Sequence, residues 1–274
     1  MCSSDLKNEK AAGPTDSTAF PYLADRFADV QVLHYQVKGF DELSLQQKQL
    51  AYYLYQAGLS GRDIFYDQKY RYGILLRKTL ECMLEANMQT ASGKEWDDFL
   101  VYCKRFFFAN GNHHHYSADK LIPACSEAYF MGLLEKCDAS KLPLNGMNMQ
   151  EYKALLSKAV FYPNFDPKGV NLSAKDVITG SCNNFYTGVT QLEVEKYYND
   201  LKEADTSNRS QIGFNTQLVK EKGKLIEKVW KSGGMYGPAI DKIIYWLEKA
   251  EGVRSEEHTS ELQSHHDLVC RLLL

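Results

Sequence analysis

The chain has 274 residues, a formal net charge of −3, 44% hydrophobic and 12% aromatic content. Near-neutral charge excludes the basic footprint of a nucleic-acid binder or a polybasic membrane patch, and no run approaches the ~20 apolar residues of a bilayer span. Length and aromatic content suffice for the core of one large domain or two small ones.

Residues 1–6, MCSSDL, back-translate as GTG-TGC-TCT-TCC-GAT-CT, the end of a sequencing-library adapter with GTG as start codon. They are set aside as an adapter-derived artefact, as a fusion scar would be. Residues 7–20 begin KNEKAAGPTDSTA, small, polar and non-periodic, and form a flexible lead-in. From Tyr22, spacings of three and four between Leu23, Phe27, Val30, Leu33 and Val37 predict a first helix. Ser44 and Gln47 form a capping-box pair ahead of a second, striped by Leu50, Tyr53, Leu54 and Ala57. Gly58 and Gly61 flank a break. A single long helix is expected over 64–86, with Leu76, Leu80 and Leu84 in register, and another over 95–108.

The stretch 109–123, ANGNHHHYSADKLIP, has no period and is expected as a loop; helices resume over 126–136 and 149–160. After Pro163 the texture turns to Gly, Asn and β-formers, and residues 214–220 and 224–230 flank Glu221-Lys222-Gly223 as a hairpin. A last helix opens after Gly237 with Pro238 near its start and Ile240, Ile243, Ile244 and Leu247 on one face. The expected fold class is therefore α+β, a mainly helical N-terminal half followed by strands of a partial β-core. Residues 254–274, RSEEHTSELQSHHDLVCRLLL, back-translate codon by codon into adapter and index DNA, so the natural chain is expected to stop near Val253. Without both ends the segment 21–253 is electrically neutral, and His258, His265 and His266 carry no function.

Chemistry is sparse. His113, His114 and His115 are consecutive, and in an extended segment His113 and His115 share a face with His114 turned away. The run offers at most two metal ligands, and a solvated or substrate-facing polar loop is the favoured alternative. There is no HExxH, GxSxG, Walker or GxGxxG pattern, and Gly233-Gly234 is a tight turn before a helix. Cys82, Cys103, Cys125, Cys137 and Cys182 include no CxxC pair, which favours free thiols in a reducing compartment. Asn183-Asn184-Phe185-Tyr186 admits two readings: paired amides beside aromatics that hold a peptide backbone, or asparagines that satisfy turn amides beside a buried ring.

Four stretches resemble a known family: ADRFADVQVLHYQVKGFDELSLQQKQLAYYLYQAGLSGRDIFYDQKY at 24–70, NGNHHHYSADKLIP at 110–123, GSCNNFYTGVTQLEVEKYY at 180–198 and NTQLVKEKGKLIEKVWKSGGMYGPAIDKIIYWLEKA at 215–250. They are similar to the N-terminal part of the Bacteroides-type dipeptidyl peptidase III family, the M49 zinc metallopeptidases. The resemblance implies an incomplete lower lobe at 21–253 of a two-lobed hydrolase that releases dipeptides from the N-terminus of short peptides bound in a wide cleft. It implies zinc held in the full-length parent by a HExxGH and an EExRAD-type helix, with the glutamate of the first as general base. Neither motif occurs in this sequence, so no catalytic or metal-ligating residue is assigned to it and the chain is expected to bind no zinc and to be inactive alone. The implied contacts to a short peptide substrate fall on Tyr116 and its neighbour His115, with Asn184 as a further candidate. A cytoplasmic location is expected, with export or a lipid anchor as the alternative, and a non-catalytic peptide-binding or structural module is the alternative function.

Overall fold

The structure is a computed structural model that describes residues 20–205 and 212–253; the two adapter-like ends and the lead-in as far as residue 19 lie outside the described residues. The fold is α+β, with most of its helices in the first half and a small sheet in the second. Among the described residues no helix is long and apolar enough to cross a membrane.

The predicted first helix is a β-hairpin instead, β1 (Leu23–Phe27) paired antiparallel with β2 (Val30–Leu33) across a turn in which Ala28 has φ 47°. Leu23 and Phe27, four apart, share a face in a helix and in a strand alike, and a tertiary partner decides between them. Asp25 and Phe27, two apart and therefore on one face of a strand, both meet the helix over 94–109. Asp25 pairs with Lys104 at 2.7 Å, and the Phe27 ring lies 6.4 Å edge-on from Phe108 with the Lys104 ammonium over it.

Helix α1 (Leu45–Ser60) begins with the expected capping box: Gln47 N–H donates to Ser44 Oγ and Ser44 N–H to Gln47 Oε1. From its apolar stripe, where Ala57 is buried, Tyr53 stacks on Trp246 of the last described helix at 5.9 Å. The single helix expected over 64–86 is two, α2 (Arg62–Lys69) and α3 (Gly73–Asn87). Tyr70 leaves helical geometry with φ −157°, and its fully buried ring donates its hydroxyl to Asp166. Gly73 then starts α3 so close to α2 that a β-carbon there would stand 2.0 Å from the Tyr66 carbonyl oxygen.

Helices α3, α4 (Lys94–Ala109), α5 (Glu127–Glu135) and α6 (Met149–Phe161) enclose the main core. Leu76, Leu80, Phe99, Phe106, Phe130 and Leu156 are fully buried in it, each contributing roughly 1.5–3 kcal/mol relative to exposure. Beyond residue 162 the chain runs through turns to β3 (Tyr186–Thr187), which pairs parallel with β4 (Thr216–Glu221). Between them lies α7 (Gln191–Ala204), which the strand-like texture did not predict although Thr190 and Glu193 complete a capping box at its start. The expected hairpin is present as β4 and β5 (Lys224–Val229). Lys222 and Gly223 both have positive φ, 50° and 79°, the two-residue turn that matches strand twist. Helix α8 (Gly237–Glu251) opens with Pro238 in its first turn and closes the chain onto α1.

The β-part is tied to the helices by a polar clamp centred on Asp67 of α2. Its Oδ2 accepts from Asn184 Nδ2 at 3.0 Å and from the Tyr236 hydroxyl at 2.6 Å. Gln217 of β4 donates to both the backbone and side-chain oxygens of Asn184. Burial pushes the Tyr236 phenol up, and the Asp67 carboxylate it faces adds to the shift.

Candidate peptide-binding pocket

The loop after α4 is held down from below. Asn110 ends the helix in the left-handed region with φ 52°. Asn112, fully buried, accepts from the Tyr102 hydroxyl at 2.6 Å and donates to the Ala159 carbonyl at 2.8 Å, which fixes the loop to both α4 and α6. Farther along, Lys120 reaches under the loop to the carbonyls of Lys158, Tyr162 and Phe165 at 3.0, 2.8 and 2.6 Å.

The three histidines occupy different environments, and the expected pairing of His113 with His115 fails because the backbone turns rather than extends. His113 is buried: its Nε2 donates to the Asp166 carbonyl at 2.9 Å and lies 3.4 Å from Cys182 Sγ, and its ring meets Tyr70 edge-on. His114 Nδ1 accepts from the Tyr116 and Ser117 amides, both at 3.2 Å. A backbone N–H can only donate, so the neutral ring carries its proton on Nε2, which lies 3.8 Å from Asp29. The His114 and His115 rings are 4.4 Å apart, and His115 continues the contact to Tyr116 at 4.4 Å and to Phe108 at 5.1 Å. Tyr116 projects from the end of this aromatic row with 88% of its surface exposed.

Beside the row opens a cavity of about 330 Å³. Phe65, Gln68 and Lys69 of α2 form one wall, the histidine loop a second, and Gly169, Val170, Asn183 and Phe185 a third. Thus the structure brings His115 and the Asn183-Phe185 stretch to one pocket. Tyr116 stands next to it through the His115 contact, whereas Asn184 lies outside the lining, its amide engaged by Asp67 and Gln217. The α2 wall and Gly169-Val170 carried no sequence signal: α2 was legible only as a helix, and which of its faces meets the histidine loop depends on the break at Tyr70.

Burial works against nucleophilic chemistry at Cys182. Burial pushes the Cys182 thiol up to about 12 and holds His113 below its usual range, so the pair stays neutral and supplies no thiolate nucleophile. Among the described residues no group of three His, Cys, Asp or Glu side chains could hold a metal ion.

His113 carries a pH dependence whose sign follows from its depressed folded pKa. The unfolded chain binds the proton more readily, so the stability contributed is whole above about pH 6.5 and is lost as pH falls through the folded value. Urea midpoints of wild type are expected to decline between about pH 7 and 5 more steeply than those of His113→Gln. Equal slopes in the two proteins would assign the acid sensitivity elsewhere. No family model matches the chain, and no curated protein matches it.

Proposed function

We propose that this chain is the lower, peptide-binding lobe of a zinc-dependent exopeptidase of the dipeptidyl peptidase III family, and that it binds short peptides without hydrolysing them by itself. The observation that carries the reading is the pocket in which the histidine loop and the Asn183-Phe185 stretch meet beside an exposed tyrosine. Ligand sites are concave and mostly apolar, with a few placed polar groups; Phe65, Val170 and Phe185 supply the apolar walls, Gln68 and Asn183 the amides. Tyr116 is 88% exposed and free to meet a ligand, and tyrosine is among the residues that dominate binding interfaces.

On this reading Tyr116 and His115 contact the peptide directly, and Asn184 acts by holding α2 against β4 at the pocket's rim. Zinc and the general base belong to HExxGH and EExRAD-type helices of the parent, motifs that do not occur in this sequence. The five free cysteines among the described residues, three of them buried, support a reducing, cytoplasmic setting.

Titration of the chain with a synthetic hexapeptide ending in phenylalanine, followed by calorimetry, tests the binding half. Tyr116→Ala is expected to weaken it by about tenfold, and an unchanged affinity would remove Tyr116 from the site. Dipeptidyl-naphthylamide turnover with added zinc tests the other half, with none expected. Sequence of the same locus beyond Val253 separates the enzyme from the non-catalytic alternative: a HExxGH there supports the first, and its absence the second.

A further inference from the structure

The pocket has a charge asymmetry that its apolar walls conceal. Among its lining residues are a lysine, three imidazoles and two amides, and there is no carboxylate. Acids beside the loop have cation partners: Asp119 pairs with Lys168 at 2.7 Å, Asp166 with Arg71 at 3.1 Å and Asp29 with Arg105 at 3.9 Å. Lys69 is different. Its Nζ donates to the Ala109 carbonyl at 2.6 Å, at the C-terminal end of α4 where a cation is favoured, and no acid among the described residues pairs with it. Burial alone acts on its pKa, lowering it. An ammonium has three donors, so two remain for a ligand at the pocket wall.

We infer that the pocket seats a carboxylate attached to an apolar group, with Lys69 as the counter-charge and the side chain against Phe65, Val170 and Phe185. Phe65 and Val170 are 57% and 45% exposed, so an apolar group entering the pocket removes surface that the fold leaves in water. A volume of about 330 Å³ accommodates one amino-acid residue. Resting on the proposed peptide function, the ligand is the C-terminal residue of a short peptide with its free carboxylate. A charge-assisted hydrogen bond is worth more than a neutral one, so the carboxylate should be distinguished from its amide.

Calorimetry on the whole chain with N-acetylphenylalanine and its primary amide, then with a hexapeptide in free-acid and amide forms, measures that distinction. Each acid is expected to bind about tenfold more tightly than its amide. The preference should vanish in Lys69→Met and persist in Lys69→Arg, with circular dichroism showing that both variants fold. Equal binding of the hexapeptide acid and amide would overturn the carboxylate site and leave peptide binding standing. A Lys69-dependent preference for N-acetylphenylalanine without hexapeptide binding would support the carboxylate site and overturn the peptide reading. Binding of neither acid would overturn both, and a preference retained in Lys69→Met would overturn the assignment to Lys69.

Discussion

Gly73→Ala is expected to destabilise the protein by about 3 kcal/mol or more, because the added methyl group would meet backbone that cannot rotate away. The new β-carbon would stand 2.0 Å from the Tyr66 carbonyl oxygen and 2.8 Å from its carbonyl carbon. That carbonyl also accepts from Tyr70 N–H, and Gly73 N–H donates to the Tyr70 carbonyl at 2.7 Å. Relief therefore requires the α2–α3 turn to open and Tyr70 to withdraw from Asp166. For a chain of this size such a loss lowers Tm by roughly 6–12 °C. Thermal melts of wild type and variant would show it, and a change below about 1 kcal/mol would mean that the turn has slack the structure does not display. Because α2 also forms one wall of the pocket, ligand affinity should fall with stability in this variant.

Lys120→Met is expected to cost about 2 kcal/mol, since the Phe165 carbonyl loses its ammonium donor while the Lys158 and Tyr162 carbonyls keep only the backbone amides of Tyr162 and Phe165. Two of them, from Lys158 and Tyr162, lie at the end of α6, where a cation also meets the helix dipole favourably. Methionine preserves the packing of the aliphatic stem on Phe165, so the loss reports the polar contacts. Burial pushes the Lys120 pKa down to about 8, with Asp166 acting weakly in the opposite direction. Below the folded pKa both folded and unfolded chains carry the proton and the burial penalty is complete. As pH rises from about 8 towards 10 the folded protein sheds the proton first, so wild type should gain stability relative to the methionine variant. Urea midpoints for both proteins across that range check the sign; a gap that narrows with rising pH would contradict it.

Local chemistry was legible wherever a few adjacent residues decide the outcome. Ser44 with Gln47 caps α1, Lys222 and Gly223 turn the β4–β5 hairpin, and Pro238 opens α8, all within one turn of backbone. The capping pair Thr190 and Glu193 was equally local and would have announced α7, had the Gly- and Asn-rich texture before it not drawn the segment toward strands. Among site residues, the consecutive histidines and the Asn183-Phe185 stretch stood out by composition alone. Their meeting in one pocket did not, because they lie about seventy residues apart in sequence and are joined by Asp166, Cys182 and the Asp67 clamp.

By itself the sequence determined the α+β class, the positions of most helices and the residue types available for recognition, since propensity, capping and turn chemistry act over a few residues. The tertiary structure alone decided three things. It made residues 23–33 a hairpin, because Lys104 and Phe108 offered Asp25 and Phe27 one face to meet. It broke the helix at Tyr70, because a buried phenol found Asp166 almost a hundred residues on. And it separated His113 from His114 and His115, because buried Asn112 and Lys120 fix the loop where only one ring can turn inward. Each is a long-range contact whose free energy exceeds the small local preference it overrides.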